Sequence, residues 1–259
     1  MWDSLIITPF INLLLLIYNL VGNFGLAIIL FTILTRILLY PLNAKQIKGA
    51  QAMQDLQKDK RYIEIQTKYK NDKEKLAQEQ MKLYQEKGIN PLSSCLPTLI
   101  QFPIIIGLYQ ALIQTIASSP NDLLNLTRHI YPNFLKISEL IPLNAKFLWM
   151  DVGLPERLNL PFLSFGIPIL ALFVMATTYL QSKLISPPTT NNPGDQGAMM
   201  GKMMNLYMPF LMGWLAYSLA SGLALYFVTS NLVGILQYAI TGRVQWKNIL
   251  PGKKQVVKK

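Results

Sequence analysis

The chain is poor in the residues that most often carry chemistry. Of its 259 residues one is cysteine, Cys95, and one is histidine, His129. A single cysteine cannot close an internal disulfide, and together with one histidine it cannot build a metal site. Redox and zinc chemistry are thereby excluded, and no metal or other cofactor is expected. Neither a catalytic triad nor a phosphate-binding glycine loop is visible, so no enzyme is expected. The first 35 residues hold no Lys or Arg. They lack the basic start of a secretory signal and the arginines of a transit peptide, so no cleavable targeting segment is expected. Acidic residues are missing where they would tell most: none of the long apolar runs contains Asp or Glu. No repeated half-motif suggests inverted repeats.

What remains is apolar and basic. The chain is 51% hydrophobic and 14% charged, with a mean hydropathy of +0.30. Several runs reach the ~20 residues that cross a bilayer, which predicts a polytopic, all-α membrane protein. The run from 22 to 42, GNFGLAIILFTILTRILLYPL, carries one charge well inside it, Arg36. A charge at the centre of a span costs roughly 2.5–3.5 kcal/mol on insertion scales and marks a functional site by default. Since no apolar run offers a carboxylate, two explanations stand. Arg36 snorkels toward the headgroups, roughly 9 Å away along the helix axis, or it faces a hydrated cavity. Thr32, Arg36 and Asn43 follow i, i+4, i+11 spacing and form one polar stripe.

Taken in order, residues 1–21 are apolar but hold Pro9, Asn12 and Asn19. The two asparagines are seven apart, which predicts an amphipathic helix lying in the membrane interface. The first span is 22–42. Residues 43–90 change character, with 11 basic and 7 acidic residues between 44 and 88. They predict a cytoplasmic helical hairpin that turns at Lys70 to Asp72 and stops at Gly88 and Pro91. The second span, 91–115, holds Pro97, Pro103 and Gly107, with Ser94, Thr98 and Gln101 as a second polar stripe. An extracytoplasmic loop at 116–160 includes FLWMD, whose Trp149 suits an interface. The third span, 161–185, ends with Thr177, Thr178 and Gln181. Residues 186–202 are a cytoplasmic loop. The fourth and fifth spans, 203–219 and 222–241, form a tight antiparallel pair. The fourth would be only about 25 Å long, implying a locally thinned bilayer. Six of the eleven methionines lie between Met199 and Met212, and such a face can adapt to varied apolar partners.

The net charge of +11 is topological first. With five spans, 11, 2 and 6 basic residues fall on one side and four on the other, apart from Arg36. The positive-inside bias then places the N-terminus outside and the basic tail, 242–259, in the cytoplasm. No specific nucleic-acid sequence is expected as a partner.

Several stretches together resemble a known family: GLAIILFTILTRILLYPL, IQTKYKNDKEKLAQEQMKLYQEKGINPL, CLPTLIQFPIIIGLYQAL, FLWMD, YMPF and SGLALYFVTSNLVGILQ. In this order they are similar to the YidC/Oxa/Alb membrane protein insertases, from Gly22 to Ile240. The resemblance implies a five-helix core with a hydrophilic groove, open to cytoplasm and lipid and closed on the outer side, in a bacterial cell membrane. It implies nascent membrane proteins as clients, with the ribosome and in some settings the Sec translocon as partners. It places the groove arginine at Arg36 with Thr32 one turn before it. Client contacts would fall at Gln101, Phe102 and Pro103 and at Tyr226 and Phe227, and Gln181 is added on polarity alone. The large outer domain of many Gram-negative members and the lipobox cysteine are not seen. Leu219 and Ala220 stand where an aromatic and a proline are frequent. Two rivals remain from other classes, a small-solute transporter or channel and a ribosome-docking receptor. The missing membrane acids weigh against the first.

Overall fold

The computed structural model describes residues 2–57, 59–89, 96–116, 120–131, 143–158, 166–185 and 196–240. Ser94, Cys95, most of the 186–202 loop and the basic tail lie outside them. So do the side chains of Thr98 and of Met199, Met200, Met203 and Met204.

Ten helices and a two-stranded hairpin make up the described residues. A π-wound turn, Asp3–Ile7, leads into α1, Thr8–Val21. Then come α2 (Phe24–Leu38), α3 (Tyr40–Gln57), α4 (Lys60–Lys68) and α5 (Lys73–Glu86). They are followed by α6 (Leu96–Ile116), α7 (Pro120–Arg128), the strands β1 (Lys146–Phe147) and β2 (Met150–Asp151), α8 (Ile169–Ile185), α9 (Gln196–Ser218) and α10 (Ser221–Ile240).

Local chemistry sets the boundaries. Asn23 caps α2 by accepting the Leu26 N–H at 3.2 Å. Pro41 has no N–H to offer the carbonyl of Ile37, and the chain breaks between α2 and α3 at Leu39. Asp59 and Asp72 cap α4 and α5. Gly88 takes a φ of 64°, the left-handed conformation that ends a helix, and Ile89 N–H closes back on the Tyr84 carbonyl at 2.8 Å. The turn expected at Lys70 to Asp72 lies between α4 and α5, Gly88 follows the end of α5, and Pro91 lies outside the described residues. Its core is small: Leu56, Tyr62, Leu83 and Tyr84, with the two tyrosine rings stacked at 6.4 Å.

The main core runs through the apolar helices. Phe24, Ile28 and Phe31 of α2, Leu108 and Leu112 of α6, Val174 of α8 and Leu223 to Phe227 of α10 are all buried. The outward faces are apolar too: Leu30, Leu34 and Ile37 on α2, Ile106 and Ile113 on α6, Phe210 and Trp214 on α9, Leu232 and Leu236 on α10 are exposed. A water-soluble protein rarely leaves such an apolar exterior, whereas hydrocarbon is its natural solvent. By length and composition Asp3–Val21 and Ser221–Ile240 are each able to cross a membrane, and shorter apolar helices cover Phe24–Leu38, Gln101–Ile116 and Ile169–Leu184.

Two sequence inferences change. α9 begins at Gln196 and has 23 residues, about 34 Å at ~1.5 Å per residue, so the helix itself is not short and lends no support to bilayer thinning. Asn12 does not face an interface. It is buried, donates to the carbonyls of Thr8 at 2.7 Å and His129 at 2.8 Å, and accepts the Tyr131 N–H at 3.0 Å. Asn19 is exposed, so the two asparagines do not form one wet face. The position of α1 is given by its contacts instead. Phe10 meets Phe31 edge-on at 5.2 Å, Tyr18 lies against Phe24, Ile6 fills the notch left by Gly107, and Trp2 Nε1 donates to Gln110 Oε1 at 2.8 Å. These partners fall on the first half of α2 and the last half of α6.

Candidate functional site: a buried cation between three helices

Arg36 sits in the last turn of α2, half-buried. Its Nε donates to Ser230 Oγ on α10 at 2.9 Å, and Nη2 donates to the same oxygen. Gln237, two turns further along α10, donates through Nε2 to the Arg36 carbonyl at 3.1 Å. Tyr226 lies one turn before Ser230, and its hydroxyl accepts Gln101 Nε2 from α6 at 2.5 Å. Together Gln101, Tyr226, Ser230 and Arg36 form one polar track across α6, α10 and α2. Every partner in it is neutral, and α2, α6, α8, α9 and α10 contain no Asp or Glu. The salt bridges Arg61–Glu86, Lys75–Asp72, Lys82–Glu79 and Lys87–Asp59 lie in the charged hairpin.

The other expected site residues divide. Thr32 is fully buried and its hydroxyl donates to the Ile28 carbonyl at 2.6 Å, so it is satisfied within its own helix. Gln101 is partly exposed, Phe102 is 47% exposed and Pro103 lies inside α6 beside them. Tyr226 and Phe227 are both buried, their rings 5.7 Å apart. Only the tyrosine reaches the chain of polar groups. Gln181, from α8, packs over Gly234, one turn after Ser230 on α10, where an added Cβ would lie 2.5 Å from its Nε2. There it adjoins a second polar contact, in which Asn231 Nδ2 donates to Thr177 and Thr178 hydroxyls at 3.1 and 2.9 Å, tying α8 to α10.

Ser230 and Gln237 were not singled out by the sequence, although a signal was available. Tyr226, Ser230 and Gln237 repeat the i, i+4, i+11 spacing of Thr32, Arg36 and Asn43.

The opposite end of the helices is closed by residues 143–158. Here β1 and β2 pair antiparallel, with Leu148 at φ 53° in the turn. Phe24 N–H donates to the Asn144 carbonyl and Asn23 Nδ2 to the Lys146 carbonyl, which holds the start of α2. The first N–H groups of α10, from Ser221 and Gly222, donate to the carbonyls of Leu154 and Val152 at 2.8 and 2.9 Å. Buried Glu156 accepts Trp149 Nε1 at 2.9 Å and the Leu170 N–H at 3.0 Å in the first turn of α8, where a carboxylate is favoured. Arg157 stacks over the Tyr217 ring at the end of α9. Beginnings of α2, α8 and α10 and the end of α9 thus share one cap.

Fold and site together define a helical membrane protein whose interior holds a cation without an acid. The family follows from comparison with known proteins. Residues 16–248 match the model of the 60Kd inner membrane protein family, and the chain belongs to that family. It is 36% identical over 245 residues to the membrane protein insertase YidC of Oceanobacillus iheyensis, covering 91% of this chain and 81% of that protein. It is 35% identical to YidC of Clostridium perfringens over 246 residues, 94% of this chain and 86% of that one. Membrane protein insertase MisCA of Bacillus subtilis is 34% identical over 256 residues, with 97% and 84% covered.

Proposed function

We propose that this chain is a membrane protein insertase that receives newly made membrane proteins, passes their short polar segments along the face of α2, α6 and α10, and releases their apolar helices into lipid. The observation that carries this is Arg36 held among neutral partners in an acid-free set of apolar helices. A transported small cation would be repelled by such a site, whereas an acidic or polar client segment is attracted to it. The partner that the membrane helices lack is supplied by the client. No covalent step is needed.

In this reading α2, α6, α8, α9 and α10 are the five spans of a bacterial cell membrane protein. The cap of residues 143–158 is on the outer side, and the N-terminus is outside with the basic tail inside. The shared cap over alternating helix ends supports that parity, as does the positive-inside bias. The contacts of α1 with only the capped halves of α2 and α6 support an oblique position on the outer side. The charged hairpin, α3 to α5, then faces the cytoplasm, where ribosomes or the Sec translocon would deliver clients. Exposed Phe102, beside Gln101, is the first client contact on α6, and Tyr226 marks the polar end of the path. Thr32, Pro103 and Phe227 shape the path from behind, and Gln181 lies over Gly234, one turn beyond Ser230.

A photo-crosslinker placed at Phe102, with a stalled ribosome-bound single-span client, tests the reading. Adducts are expected from Phe102 and not from Leu172 on the outward face of α8. Equal yields from both positions, or solute flux through client-free proteoliposomes, would contradict it.

A further inference from the structure

We propose that Ser230 is the positioning residue for the Arg36 guanidinium, and that it thereby sets the preference for clients with acidic translocated segments. This rests on the insertase reading above and names a residue for it. Ser230 is 2% exposed, and a serine there has no solvent to serve. Its oxygen takes two donors of the guanidinium, Nε and Nη2. A hydroxyl offers two lone pairs, so this small group commits both of them to Arg36. It is neutral, so it fixes the charge without cancelling it. A carboxylate in its place would saturate the cation and remove the attraction for a client.

Geometry explains why a tether is needed. Arg36 lies in the final turn of α2, and a long flexible side chain there can reach the headgroups by snorkelling. Gln237 secures only the main chain of Arg36. Ser230 secures the head, drawing it sideways onto α10 and toward Tyr226 and Gln101, away from the membrane surface. Without the hydroxyl the charge is retained but is free to leave the path.

The test uses full-length protein in proteoliposomes and one single-span client in two forms, with two aspartates or two asparagines in the translocated tail. The readout is the ratio of acidic to neutral insertion. Ser230→Thr and Ser230→Val have the same shape and differ in the hydroxyl alone. The Val variant is expected to lower the ratio about three- to tenfold relative to Thr, the range of an ordinary hydrogen bond. Adding Ser230→Val to Arg36→Ala is expected to change the ratio no further. If Arg36→Ala lowers the ratio and Ser230→Val leaves it at the Thr value, the positioning role is overturned and the insertase reading stands. If Ser230→Val depresses both clients equally, the residue only holds α2 to α10, and the proposal fails. If Arg36→Ala itself leaves the ratio unchanged, the electrostatic part of the insertase reading fails and Ser230 falls with it.

Discussion

At the scale of single residues, two polar contacts divide α10 into two working faces. Tyr226, Ser230 and Gln237 face Arg36, while Asn231 binds Thr177 and Thr178 of α8. The second contact is a packing device of a kind that membranes favour, since lipid gives helices little hydrophobic reason to associate. Asn231→Leu is expected to lower stability by about 0.6–1.7 kcal/mol, measured by thermal unfolding in detergent, with the charge preference of insertion unaltered. Arg36 and its stripe were legible in the sequence because a cation among apolar residues is conspicuous. Asn231, Ser230 and Gln237 were less so, because small polar residues are common in spans and only their partners on other helices give them meaning. Gln181 was placed with Arg36 on polarity alone, and α8 presents it to Gly234, one turn beyond Ser230.

At the scale of elements, the close approach of α6, α2 and the cap to the start of α10 depends on Gly222. A Cβ there would lie 2.9 Å from Ile28 Cδ1 and 3.0 Å from the Val152 carbonyl oxygen, besides meeting Leu112. The side chains can yield, but the carbonyl is fixed by its own bond to the Gly222 N–H. Gly222→Ala is expected to cost about 1–3 kcal/mol, read as a lowered unfolding midpoint. The charged hairpin is pinned differently. Lys87 donates to Asp59 at 2.9 Å, and that bond, with the Arg61 N–H, holds the Asp59 carboxyl below the usual carboxylate range. Because this pKa is depressed on folding, its stabilisation is present above the unfolded value of about 3.9 and is lost as pH falls through the folded one. Lys82 has the opposite sign: Glu79 raises it, so its contribution is complete below about 10.4 and is lost as pH rises through the folded value. Both groups are on the surface and their effects are small. Amide exchange in α4 is expected to accelerate below about pH 4 more in the wild type than in Asp59→Asn, which has already lost the charge. The turn between α4 and α5 was legible because turn chemistry is local, whereas the break between α3 and α4, capped by Asp59, makes three helices where two polar helices were expected. The role of residues 143–158 was not legible, because most of its bonds go to helix starts more than 60 residues away in sequence, as in Ser221 Oγ donating to the Asp151 carbonyl.

At the scale of the whole molecule, closure at one end and openness of chemistry at the other give the protein a direction. The cap takes up N–H groups that begin α2, α8 and α10 and ties those helix starts together. The Arg36 chain lies toward the other end, next to α3 and the hairpin. Deleting residues 50–85 is expected to leave the helical core folded, as judged by an unchanged thermal midpoint, while client insertion driven by ribosomes falls. The hairpin has its own small core, which is why it can be removed. Length and apolar periodicity made the apolar helices of a membrane protein legible. The burial of Asn12 was not, since it looks like an interfacial residue until His129 and Tyr131 are found to bind it.

The central claim is that a fixed, acid-free positive charge inside the membrane is what the client meets. Insertion of a single-span client with an acidic translocated tail, by full-length protein reconstituted alone, tests it most directly. With folding verified for each variant, Arg36→Ala is expected to lower insertion of this client about tenfold or more, the loss of an interaction of ~1.4 kcal/mol, and Arg36→Lys to retain much of it. Unchanged insertion by a folded Arg36→Ala protein would contradict the account.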